Sequence, residues 1–275
     1  MLRNMTIGQY YQTESVLHRL DPRVKIVATF AYIIALFLVN SFGGYIVAAC
    51  FLAAMILLSH VPFSYMIRGM RSIVFLLMIT VLFNLFLTPG EVLVHVWKLT
   101  ITREGLAFSI KMGTRLIMLI LGCSLMTLTT TPNQLTDAIE SLLGPMKKLH
   151  VPVHEIAMMM SIALRFIPIL LEETDKIMKA QMARGADFES GSLMQRMRNL
   201  VPLLVPLFIS AFRRANDLAM AMEARCYHGG EGRTRMKPLI YRKRDYAAYA
   251  VLIAFLAVCI LSRILSSRLP GLLRL

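Results

Sequence analysis

The chain has 275 residues, 57% of them hydrophobic and only 17% charged, where a soluble domain carries about a quarter charged residues. Lys and Arg number 30 against 16 Asp and Glu, a net charge of +14. A nucleic-acid binder would spread that excess over a water-soluble face. Here many cations flank apolar runs, as at a cytoplasmic membrane surface, so the composition points to a polytopic membrane protein and away from nucleic acid.

The first residues, MLRNMTIGQYYQTESVLHRLDPR, lack the apolar core of a signal peptide, so the first spanning helix is expected to act as the insertion signal. A bilayer core needs about 20 mostly apolar residues per helix. Four such runs lie in the first half, roughly Lys25–Asn40, Tyr45–Val61, Ser72–Leu87 and Leu106–Thr130, and a fifth spans roughly Tyr246–Ile264. The stretches VLVHV and KLTIT flank Trp97 and predict a small hairpin, with Trp97, the only Trp, suited to an interface. Lys111 and Arg115 share one helical face inside the fourth run, where they are expected to face other helices or snorkel. No Asp or Glu lies in the interior of the five runs, which counts against a proton- or cation-coupled transporter.

Thr131, Pro132 and Gln134 form a capping box that opens a short amphipathic helix. Leu135, Ile139, Leu142 and Leu143 make its apolar stripe, and Gly144-Pro145 ends it. A second helix runs from near Pro152 to Arg184, with Pro168 inside it and Gly185 placed as a left-handed cap. A third starts at Ser192, with Gln195 completing another capping box, and passes through Pro202 and Pro206. Each of these two long helices begins apolar, turns polar and ends in Ala-Arg: Ala183-Arg184-Gly185 and Ala224-Arg225-Cys226.

The expected architecture is an all-α polytopic membrane protein of about five transmembrane helices, one short amphipathic helix and two long cytoplasmic helices. It divides into residues 1–130, 131–245 and 246–275. Seventeen Lys and Arg between Thr131 and Asp245 place the middle region and the N-terminus on the cytoplasmic side, although the tail after Ser262 carries three Arg on the other side. The four cysteines form no CxxC, and three lie in apolar runs, where buried small hydrophobes are expected. Neither a P-loop nor HExxH or GxSxG occurs, the six His are dispersed, and no enzyme or bound metal is expected.

An Arg at each helix end complements the dipole, which contributes about 0.3–1 kcal/mol. Two exposed Arg tips, each preceded by Ala, are also shaped to fork onto carboxylate or carbonyl oxygens in a partner's groove.

The set HRLDPRVKI, TTTP, ALRFIP, QMARGADFESG and FRRANDLAMAMEARCYHGGEGRTR resembles the EcfT family. Those proteins are the transmembrane components of energy-coupling-factor (ECF) transporters, a class of ABC importers. The resemblance spans His18 to about Arg244 and implies a non-catalytic scaffold in the bacterial cell membrane. It would join two ABC-type ATPases to a small integral-membrane S component for vitamin or micronutrient uptake. ATP would be used by the partners and no cofactor bound by this chain. It implies further that Ala183, Arg184, Gly185, Ala224, Arg225 and Cys226 dock on the ATPases. Met158, Met159 and Met160 offer an adaptable apolar surface for interchangeable S components. Cys226 departs from the Ala-Arg-Gly pattern. Either it stays helical and the cap moves to Gly229 or Gly230, or the two docking sites differ. A conventional ABC permease is the alternative; it would usually present one coupling helix.

Overall fold

The computed structural model describes residues 10–39, 41–96, 99–188, 192–230 and 238–268. Its elements run α1 (Pro22–Leu38), α2 (Phe42–Ser59), α3 (Phe63–Leu87), β1 (Val92–Val96), β2 (Leu99–Thr102), α4 (Arg103–Thr129), α5 (Pro132–Leu142), a 3₁₀ turn (Gly144–Leu149), α6 (Val153–Ala183), α7 (Leu193–Ala224) and α8 (Lys243–Arg268). The helical polytopic character expected from the sequence is present. Among the described residues, α2, α4, α6 and the Lys243–Leu265 part of α8 are long and apolar enough to cross a membrane. The inclusion of α6 departs from a purely cytoplasmic reading of that helix. Its first half supplies the apolar length, and the charges gather in its second half. The expected hairpin forms as an antiparallel pair, with His95 opposite Thr100 and Val96 opposite Leu99. Trp97 and the tail beyond Arg268 lie outside the described residues.

The chain divides into two units. The larger holds α1–α4, the hairpin, the start of α5 and α8. In it α1, α2, α4 and α8 pack around a core that includes Ala35 and Leu36, Ala48 and Leu52, Leu121 and Leu125, and Leu252 and Phe255. Small residues permit the close approaches: a side chain on Gly122 would meet the Tyr32 ring at 2.8 Å. Tyr32, Phe51 and Phe255 form an aromatic group, the two Phe centroids 4.1 Å apart. Outward faces carry Phe30, Phe37, Leu57, Phe75, Ile253 and Leu261, all exposed, as an apolar solvent requires. Cys259 is buried, but Cys50 and Cys123 are exposed on their helices, so the expectation of buried thiols holds for only one of these three.

A polar knot ties one end of this bundle. Asp21 caps α1: it accepts from the Arg23 backbone N–H at 2.9 Å and from both Nε and Nη2 of Arg23. Arg23 also donates to Leu239 O at 2.9 Å and stacks over Tyr241. The Asp21 N–H donates to Asp245, and Asp245 accepts from the Arg242 N–H as well, both at 2.8 Å. Lys25 Nζ donates to Thr129 O at 2.7 Å, at the end of α4. Asp21, Lys25 and Asp245 are all buried. Lys25 thus closes a helix end instead of facing solvent. His18, before α1, sits between Ser15 and Tyr11. Burial lowers its pKa below 6.5, opposed by the Tyr11 carbonyl and reinforced by Lys25.

Inside the bundle, Arg115 faces protein as expected. It donates to Val39 O at 3.1 Å and lies near the Phe37 and Tyr45 rings. Val39 ends α1, where carbonyls lack helical partners, so the cation meets an acceptor that needs one.

Candidate functional site

The second unit contains the end of α5, the 3₁₀ turn, α6 and α7. The reciprocal bonds of the capping box open α5: the Thr131 N–H donates to Gln134 and the Gln134 N–H to Thr131 Oγ1. Ser192 Oγ likewise accepts from the Gln195 N–H at 3.4 Å and opens α7.

Helices α6 and α7 form an antiparallel hairpin. Gln181 Nε2 donates to Pro202 O at 3.3 Å. That carbonyl needs an outside donor because its helical partner would be residue 206, which is Pro and has no N–H. Farther along, Arg214 donates to Glu173 at 3.2 Å. Beyond it lies an apolar groove of about 300 Å³, lined on α6 by Ile162, Phe166 and Leu170 and on α7 by Ala211, Ala215 and Met222 among others. Both helices continue through their internal prolines.

The two Ala-Arg ends share one backbone design. At the first, the Gly185 N–H donates to Met182 O and the Ala186 N–H to Gln181 O, with Gly185 at φ +86°. At the second, the Cys226 N–H donates to Glu223 O and the Tyr227 N–H to Met222 O, with Cys226 at φ +55°. Both are Schellman ends, the paired bonds that satisfy a helix's last carbonyls. The first alternative foreseen for Cys226 does not hold, since the cysteine does not stay helical; at the backbone the two ends share one fold. Cys226 takes the left-handed conformation itself, at a cost of about 1–2 kcal/mol that glycine avoids. The following His228 donates from Nδ1 to Cys226 O at 2.8 Å and so braces that turn.

Ala183, Arg184, Gly185, Ala224, Arg225 and Cys226 are all exposed. The hairpin does not bring the two tips together. Eleven residues separate Glu173 from Arg184, and eleven separate Arg214 from Arg225 in the opposite direction. At 1.5 Å per residue the tips stand about 33 Å apart on either side of that ion pair. Met159 and Met160 are exposed and Met158 half-buried. They lie one turn before Ile162, at the groove's Met222 end.

One contact near the second tip escaped the sequence reading. His154 Nδ1 and Glu140 Oε1 are 3.1 Å apart, joining α5 to the start of α6. Gly230 lies against the same imidazole, where a side chain would approach His154 Cδ2 to 2.3 Å. The chain leaving Arg225 is thus seated on the α5–α6 junction. Glu140 and His154 are fourteen residues apart and form no motif, and the doubled glycine 229–230 was the only local sign of a close approach.

Comparison with known proteins accords with this architecture. The family described as "CbiQ: Cobalt transport protein" matches residues 13–236. A Clostridium kluyveri protein, "Energy-coupling factor transporter transmembrane protein EcfT", is 56% identical, covering 96% of this chain and 98% of that protein. Proteins of the same name from Thermosediminibacter oceani and Bacillus subtilis are 58% and 46% identical, covering 90% and 94% of this chain and 94% and 98% of their own lengths. With that family match across most of its residues and that identity over nearly its whole length, the chain belongs to the CbiQ family and is a transmembrane component of the EcfT type.

Proposed function

We propose that this chain is the non-catalytic energy-coupling scaffold of an ECF-type importer. It receives ATP-driven motion from two ABC-type ATPases at Arg184 and Arg225 and passes it to an integral-membrane S component that takes up a vitamin or another micronutrient. The observation that carries the reading is the pair of exposed Arg tips on identical Schellman ends. An end fixed by two backbone bonds holds the backbone of its Arg in place, which lowers the ordering cost of docking. Two such ends facing away from each other suit two separate ATPases better than one.

Three supporting assignments belong to the same proposal. Met158–Met160 contact the S component, since exposed methionines repack against different partners. The chain lies in the bacterial cell membrane with its N-terminus and both tips cytoplasmic, which suits the cation-rich middle region. ATP is bound by the partners, and this chain binds no cofactor.

The test is ATP-driven uptake by the complex reconstituted in vesicles. Arg184→Ala with Arg225→Ala is expected to abolish uptake while the complex's membrane subunits remain together. Uptake near the unmutated level would overturn the coupling role.

A further inference from the structure

We propose that the cleft among α1, α2, α4 and α8 holds one acyl chain of an anionic phospholipid from the leaflet on the Pro22 side of α1. The cleft encloses about 330 Å³. Ala28, Leu52, Met126 and Ala248 are among its apolar walls. It lies wholly within the membrane-spanning unit, so the inference does not depend on the coupling reading.

Two features set the occupant's chemistry. The first is charge. Arg244 lines the cleft and is exposed, next to exposed Arg242 and Lys243. The acidic neighbour, Asp245, is buried and committed to two backbone N–H groups. Glu14, from the preceding segment, is paired with Arg19. The mouth is therefore cationic, as an anionic headgroup requires. The second is an orphan. Tyr32 is 4% exposed and lines the cleft. Its hydroxyl has no hydrogen-bond partner among the described residues. A buried hydroxyl without a partner is costly. Tyr32 lies two turns beyond Lys25 on α1, and helical side chains lean toward the helix N-terminus. Its ring forms part of the cleft wall, and a small turn of that ring opens the hydroxyl to a lipid ester carbonyl, which accepts from it. A water-soluble ligand would leave the apolar walls unmatched, and a protein helix would leave the cationic mouth without an anion unless it carried acidic residues there.

The full-length chain is purified from vesicles of equal phosphatidylglycerol and phosphatidylcholine, and retained lipid is counted by native mass spectrometry. One phosphatidylglycerol per chain is expected. Arg244→Gln should lower the preference for phosphatidylglycerol about five-fold. Ala248→Phe should empty the cleft, and Tyr32→Phe should weaken retention without lowering the melting temperature. If Ala248→Phe does not fold, the Arg244 and Tyr32 variants decide. No retained lipid, equal retention of the two lipids, retention unchanged in all three variants, or release of the lipid on adding the S component would each overturn the proposal.

Discussion

Exchanging the left-handed residues of the two tips perturbs one end without touching the Arg. In Gly185→Ala the new Cβ meets no heavy atom within 4 Å, so sterics with the rest of the protein add nothing. What remains is the backbone cost at φ +86°, about 1–2 kcal/mol for an L-residue. Glycine's greater freedom in the frayed end offsets about 0.4–1 kcal/mol of this. The net destabilisation of the Schellman end is about 1 kcal/mol, roughly a five-fold change in its open population. Cys226→Gly runs the same step in reverse. Hydrogen exchange reads both: the Ala186 amide, bonded to Gln181 O, should exchange about five-fold faster in Gly185→Ala. The Tyr227 amide, bonded to Met222 O, should exchange about five-fold slower in Cys226→Gly. Amides in mid-helix should not change in either. Unchanged exchange at the mutated end would mean that the left-handed residue does not control tip order, and the reasoning would fail.

Asp245→Ala should destabilise the membrane unit, because it strands the buried Asp21 N–H and the part-buried Arg242 N–H. At about 1–3 kcal/mol for each stranded donor, thermal unfolding in detergent should fall by many degrees, and Asp245→Asn should recover about half of the loss. Gly122→Val should separate α1 from α4, because even a Cβ meets the Tyr32 ring at 2.8 Å; loss of the folded protein at normal expression temperature is the expected readout. Burial holds the His18 pKa below 6.5, so its contribution is complete above 6.5 and is lost as pH falls toward the lower folded value. The melting temperature should fall with acidification over that range, and His18→Gln should flatten the profile. A double-mutant cycle between Glu173 and Arg214 should give at most about 1 kcal/mol, since both side chains are partly solvated; a value of several kcal/mol would mean that the pair is desolvated in the membrane.

Local chemistry was legible wherever it closed within a few residues. Thr131 with Gln134, Ser192 with Gln195, Gly185 after Arg184, and the two β-prone stretches around Trp97 each marked a real boundary. Asp245 was invisible because its partner Asp21 stands 224 positions away, and no local pattern encodes that meeting. The burial of Lys25 was not legible either, because a buried ammonium looks no different in sequence until an acceptor such as Thr129 O is found. Cys226 failed for a different reason. Its intrinsic preference opposes the left-handed state, but the carbonyls of Met222 and Glu223 must be satisfied, and the two bonds gained there outweigh the penalty. The tip geometry itself was thus half legible: the Arg and the cap at residue 184 could be read, whereas the equivalence of residue 225 needed the backbone.

The Glu173–Arg214 bridge stands midway between the tips, and this gives the hairpin the mechanics of a balanced beam. A push on both Arg in one direction shifts the beam without turning it. Opposed pushes turn it about the bridge, and a rotation of 10° would carry each tip about 3 Å, given an arm of about 16 Å. Torque and translation are then separable inputs. In the proposed assembly, two ATPases closing toward each other and two moving together would send different motions along the same pair of helices.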